Sequence, residues 1–198
     1  MSRNKISAYL YLALIHRQTG YPGLALAMLE QAYSVDPNDP DVCGFLAECL
    51  EDEKDYDGAL KIYGELAGLE PSNKNAVWRL AIISEKKGDT ETALKHLKKV
   101  LELDPKDADA YNFIAYTYAE KGTNLEEALA LAKKALDIDS KNAAYLDSMG
   151  WIYYRKGMLD EAMGFMRKSL EAMKSSKQED SVIYEHLGEI CGRKGLRD

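Results

Sequence analysis

The chain has 198 residues, of which 46% are hydrophobic, and a formal net charge of −7. This composition supports a buried core and argues against disorder, and no apolar run reaches the roughly 18 residues that a membrane-spanning helix requires. The net negative charge is concentrated in residues 39–73, which contain ten acids and two bases. No basic stripe suited to nucleic acid is present.

A repeat organises the chain. Small residues recur at a step of 34 residues, with a single one-residue slip, at Ala25, Ala59, Ala93, Ala128 and Ala162. Pairs of an acid and a proline keep the same step at Asp36 and Pro37, Glu70 and Pro71, and Asp104 and Pro105. Glycines recur with them at Gly20, Gly88, Gly122, Gly157 and Gly195. A period of this length predicts a stack of identical units rather than one globular core.

Each period predicts a helical hairpin. The glycine ends the first helix in the left-handed conformation, and the proline ends the second helix because it cannot continue one. The predicted units span residues 6–39, 40–73, 74–107, 108–142 and 143–180, followed by a lone helix at 181–195. All belong to one continuous repeat domain over residues 1–198.

The repeat pattern resembles that of the tetratricopeptide repeat family. The residues that carry the resemblance include Val77, Leu80, Ala81, Gly88, Ala93, Leu97, Val100 and Pro105. The resemblance implies an all-α fold, a right-handed α-solenoid of five full repeats and one extra helix. Residues 145–157 and 185–188 further resemble the C-terminal repeats of envelope-associated bacterial members. The compartment stays open: no signal peptide is predicted, and a parent protein in the bacterial envelope and a cytoplasmic one are both expected possibilities.

Both ends of the repeat pattern are atypical. The predicted helix 6–18 is apolar on more than one face, whereas a terminal helix should be polar on its outer side. We expect the chain to be a fragment of a longer array. The alternatives are a homodimer face on helix 6–18 and a natural capping helix at 181–195.

In the family, the first helices line a concave groove. For the first unit this mapping gives Ser7, Leu10, Leu14, Arg17 and Gln18. The candidate peptide-binding residues of the later units are Trp78, Ile82, Asn112, Tyr116, Asp147, Trp151 and Tyr154. Aromatic rings anchor side chains and an amide bonds to peptide backbone; the alternative is that these rings pack between helices. An acidic inner face at Asp41, Glu48, Glu51 and Asp52 favours a basic partner, unless it is only a solvated surface.

The residues argue against catalysis. The three histidines, His16, His96 and His186, fall in different units, and Ser148 beside Asp147 has no histidine near it in the repeat map. No glycine-rich phosphate loop occurs. We therefore predict no enzyme activity, no metal and no cofactor.

The predicted function is a non-enzymatic protein–protein interaction scaffold that binds a peptide or helix of a partner carrying apolar and basic groups. Nucleic acid and direct membrane insertion are not expected. The alternative is a structural module that self-assembles through the apolar first helix or the open last helix.

Overall fold

The computed structural model describes residues 2–176 and 180–195 of the chain. Within them the fold is all α-helical and without strands, so the predicted all-α fold class of helical-repeat solenoids is confirmed. The helices are α1 (Ser2–Gln18), α2 (Pro22–Val35), α3 (Pro40–Asp52), α4 (Tyr56–Leu69), α5 (Lys74–Lys86), α6 (Thr90–Leu103), α7 (Ala108–Lys121), α8 (Leu125–Ile138), α9 (Ala143–Arg155), α10 (Leu159–Ser176) and α11 (Ser181–Lys194).

The helices form two compact units, one ending at Leu103 and the other beginning at Asp104. In the first unit α1 packs on α2, α3 on α4 and α5 on α6, and each hairpin packs on the next. In the second unit α7 packs on α8 and α9 on α10, while α11 packs on α9 and α10. The small residues of the repeat lie at these crossings; Ala25, Ala59 and Ala162 are fully buried, so the paired helices approach closely.

Local chemistry sets the helix ends. Most first helices start behind an Asp or Asn whose side chain accepts backbone N–H groups of the first turn, as Asp39 does from Asp41 N at 3.0 Å and Val42 N at 3.2 Å. Glycines with positive φ follow several first helices. Lys54 stands at this position after α3 and adopts φ 62°, so a lysine takes the conformation that favours glycine.

The first helix is longer than the sequence predicts, because α1 begins at Ser2 rather than at residue 6. Its buried residues are Ile6 and Ala13. Leu12 is 42% exposed, although it neighbours the buried Ala13 in the sequence. The terminal hairpin therefore presents more apolar surface to solvent than the repeat pattern predicts.

Candidate functional site

An open pocket lies between α1 and α3 in the first unit. It has a volume of about 260 Å³ and is lined by Ser7, Leu10, Tyr11, Ala13, Leu14, Arg17, Leu29, Phe45 and Cys49. Four of these, Ser7, Leu10, Leu14 and Arg17, are residues that the repeat map assigns to the inner face. We call this cavity the α1–α3 pocket; its lining is mostly apolar, and Leu14 and Phe45 remain exposed in it.

A cation on the pocket wall is already paired. Arg17 donates from Nη1 to Glu48 Oε2 at 3.2 Å and from Nη2 to Asp52 Oδ2 at 2.8 Å. The arginine thereby neutralises acids of the neighbouring hairpin and leaves the pocket without a cation free to bind a ligand anion. Half-exposed pairs of this kind stabilise by about 0–1 kcal/mol each, so their main effect is to fix side-chain positions.

The carboxylates of the acidic inner face repel one another less than the sequence indicates, because bases lie beside most of them. Glu51 is nearly buried and lies 3.6 Å from Arg79 Nη1 and 3.4 Å from Lys86 Nζ. Three of the four predicted acids are thus compensated by bases of adjacent repeats. Asp41 is exposed and makes no ion pair within the described residues, so it is the member best placed to meet an added base.

The predicted aromatic residues divide between the two units. On α5 of the first unit, Trp78 and Ile82 are half-buried. On α7 of the second unit, Asn112 and Tyr116 are also half-buried, although Asn112 Oδ1 is buried with no hydrogen-bond partner among the described residues. Each keeps part of its side chain at the surface of its own unit.

Trp151 lies inside the second unit, only 5% exposed. Its ring stacks on His186 with centroids 4.0 Å apart and on Tyr154 with centroids 4.7 Å apart. Its indole Nε1 donates to Glu120 Oε1. Because α11 supplies one of the stacked rings, Trp151 is part of the packing that holds α11 on α9.

A buried pair lies beside this stack. His186 Nδ1 is 2.8 Å from Asp147 Oδ2, and both side chains are buried. Burial raises the pKa of Asp147, and the hydrogen bond from His186 partly offsets that rise. The expectation that no histidine lies near Asp147 and Ser148 is therefore wrong. The contact could have been found by aligning α11 with α9 along the sequence, because the first turns of α11 pack on α9.

The three cysteines of the chain are not paired with one another. Cys43 and Cys49 are buried, Cys191 is half-buried, and all three are free thiols. Burial raises the pKa of the Cys43 thiol to about 11, which keeps it protonated and unreactive. Within residues 2–176 and 180–195, no cluster of three or more His, Cys, Asp or Glu side chains is arranged to hold a metal. Over the same residues, none of the helices combines the length and the hydropathy needed to cross a membrane.

Comparison with known proteins places these features in a family. A family model described as a tetratricopeptide repeat matches residues 17–81 and 50–115, and a second matches residues 108–142. A search of curated protein sequences finds no match.

Solved structures share the fold. A tetratricopeptide repeat protein from Parabacteroides merdae has a TM-score of 0.86 at 17% identity, covering 98% of this chain and 75% of its own. MamA from Desulfovibrio magneticus has a TM-score of 0.78 at 25% identity, covering 86% of this chain and 96% of its own. YrrB, described as having an unusual peptide-binding site, has a TM-score of 0.74 at 19% identity, covering 91% of this chain and 90% of its own.

Proposed function

Because the chain belongs to the tetratricopeptide repeat family, we propose that it is a non-enzymatic scaffold that binds a peptide or helix of a partner protein along its first helices. Members of this family are in general protein-interaction scaffolds, and YrrB, which shares the fold, has a peptide-binding site. The observation that carries the proposal is the α1–α3 pocket, an open apolar cavity on the helices that the family uses for binding.

The pocket suits side chains better than a cofactor. Its volume of about 260 Å³ lies below the roughly 300–1,000 Å³ of pockets that enclose drug-sized ligands. One or two apolar side chains of a partner segment fill such a space and bring Leu14 and Phe45 out of water. Apolar burial of this kind stabilises by about 25 cal/mol per Å², which makes the pocket the anchor of the proposed interaction.

The remaining candidate residues extend the contact within each unit. In the first unit, Trp78 and Ile82 offer apolar surface and Asp41 offers a carboxylate to a basic group of the partner. In the second unit, Tyr116 and Tyr154 are the partly exposed rings. Trp151 and Asp147 are buried beneath this surface: Trp151 stacks on Tyr154, and Asp147 bonds to His186, whose ring lies beside Tyr116.

The pocket is tested with a displayed library of random peptides selected on the full chain. Selected peptides are then measured against Leu14→Glu, which places a charge in the pocket, and against Leu24→Glu. The control residue is matched, because Leu24 lies in the same unit, is 49% exposed against 46% for Leu14, and does not line the pocket.

We expect the peptides to bind Leu14→Glu at least about tenfold more weakly than wild type, a loss of about 1.4 kcal/mol, and to bind Leu24→Glu normally. Peptides that tolerate Leu14→Glu would refute the pocket as the anchor. Equal losses on both variants would instead indicate unspecific attraction to apolar surface.

A further inference from the structure

The buried pair of Asp147 and His186 lies among the aromatic rings of the second unit. His186 Nδ1 is 2.8 Å from Asp147 Oδ2, and the imidazole stacks on Trp151 with planes 14° apart. The ring centroid of Tyr116, on α7, is 5.9 Å from that of His186. A carboxylate beside an aromatic face is also the arrangement that binds the guanidinium group of an arginine. His186 therefore occupies a place that suits an arginine side chain.

This histidine satisfies only one oxygen of the Asp147 carboxylate. The Asp147 side chain is 6% exposed, and its Oδ1 is buried with no hydrogen-bond partner among the described residues. An imidazole donates one N–H to a carboxylate, whereas a guanidinium donates two parallel N–H groups, one to each oxygen. Because a buried acceptor without a partner costs free energy, a guanidinium fits this carboxylate better than the imidazole of His186 does.

The charges around the pair also favour a cation. Burial raises the pKa of Tyr116, and the carboxylates of Glu120, Asp147 and Glu185 raise it further, because all three lie near the Tyr116 hydroxyl. Three acids thus converge on one side of the second unit. A positively charged side chain that enters there is attracted by all of them.

The arginines of this unit leave the Asp147 carboxylate free. Arg155 lies 6.0 Å over the centroid of the Trp151 ring, and Arg193 lies 5.2 Å over that of Tyr154. Neither arginine forms an ion pair with another described residue. A second guanidinium, brought by a partner, is therefore needed to pair with both oxygens of Asp147.

The helix that brings His186 to this place has an open side. Three of the 14 residues of α11 are buried, namely Ile183, His186 and Ile190. Gly188 and Gly192 face open space, since a Cβ at either position meets nothing within 4 Å. Elements of this kind open locally at a lower free energy than the whole domain unfolds. Local opening of α11 uncovers Asp147 and Trp151, which lie on α9.

We propose that α9 carries a binding site for an arginine side chain of a partner segment, and that His186 occupies this site until the partner displaces it. The partner's guanidinium stacks on Trp151 and donates to both oxygens of Asp147. The site lies in the second unit and is separate from the α1–α3 pocket, so a failure of peptide binding in that pocket leaves this proposal standing.

The test uses a fluorescein-labelled peptide with the sequence of residues 181–194 and His186→Arg, because this sequence already packs on α9. Its control carries citrulline at the same position, which has the length of arginine but no charge. Binding is measured by fluorescence anisotropy to the full chain with His186→Ala, which removes the competing ring. Circular dichroism checks that this chain stays folded.

We expect the arginine peptide to bind this chain at least about tenfold more tightly than the citrulline peptide. It should bind the wild-type chain more weakly, because His186 competes for the site. Adding Asp147→Asn should abolish the preference for arginine. Adding Asp137→Asn should not, because that substitution removes the same charge from an exposed position on α8 of the same unit.

A second measurement needs no added peptide and no His186→Ala variant. In the full chain, His186→Arg should protect α11 from hydrogen exchange at least about tenfold more than His186→Lys does, because lysine lacks the two parallel N–H groups. Asp147→Asn should remove this difference.

Four results would overturn the proposal. They are no measurable binding of the arginine peptide, equal binding of the two peptides, a preference for arginine that survives Asp147→Asn, and equal protection of α11 in the His186→Arg and His186→Lys chains.

Discussion

Trp151→Ala should destabilise the packing of α11 on α9, and not only remove a side chain that could bind a partner. The ring is 5% exposed, stacks on Tyr154 and His186, and its indole donates to Glu120. Replacing a buried tryptophan by alanine costs about 3–5 kcal/mol, of which each aromatic stack accounts for about 0.5–1.5 kcal/mol beyond its burial. That loss is a large part of the roughly 5–15 kcal/mol that stabilises a typical domain.

Hydrogen exchange read separately for each helix is the appropriate assay, because repeat proteins open locally. Trp151→Ala should reduce the protection of α9 and α11 by about 3 kcal/mol or more. Trp78→Ala is the matched control and should cost less, because that ring is half-buried. If Trp151→Ala left the exchange of α9 and α11 within about 1 kcal/mol of wild type, the ring could not be part of the packing described above.

Two further predictions concern the packing of glycines and the buried acid. Gly64→Ala should stabilise the first unit by about 0.5–1 kcal/mol in urea unfolding, because a Cβ at this position meets nothing within 4 Å. Gly150→Val should destabilise the second unit by about 1–3 kcal/mol, because even a Cβ at this position meets Met166 Cε at 2.9 Å. A stabilising Gly150→Val together with a destabilising Gly64→Ala would contradict this packing. Burial raises the pKa of Asp147 above its ordinary value of 3.8 in the folded chain. The protonated carboxyl therefore stabilises the fold at pH values below 3.8, and this stabilisation is lost as the pH rises through the pKa of the folded chain. Asp147→Asn should lack this loss, and an identical pH dependence in both proteins would contradict the burial of an ionising group.

The helical hairpins follow from short-range rules that the sequence displays directly. Asp39 and the glycines after the first helices have the local conformations that their residue types favour, because helix ends depend on neighbouring backbone groups alone. The repeat also places Leu10, Leu14 and Arg17 on one face of the first helix, and all three line the α1–α3 pocket.

Contacts between repeats were harder to predict. His186 follows Asp147 by 39 residues, so a map based on a step of 34 does not bring the two together. The same map places Trp151 in the concave groove and leaves packing between helices as the alternative. The acids of the second repeat raise the same difficulty, because their compensation by Arg17, on a different hairpin, depends on side-chain reach rather than on the repeat period. Pairing and burial across repeats are decided by the packed structure, which periodicity does not encode.

The central claim, that the α1–α3 pocket anchors a partner peptide, is tested most directly by photo-crosslinking. A photoreactive phenylalanine analogue is placed at Phe45 in the pocket and, as a matched control, at Tyr184, an exposed aromatic position on α11. A peptide selected on the full chain should crosslink from position 45 and not from position 184. Crosslinking from position 184 with none from position 45 would contradict the claim and place the binding surface in the second unit.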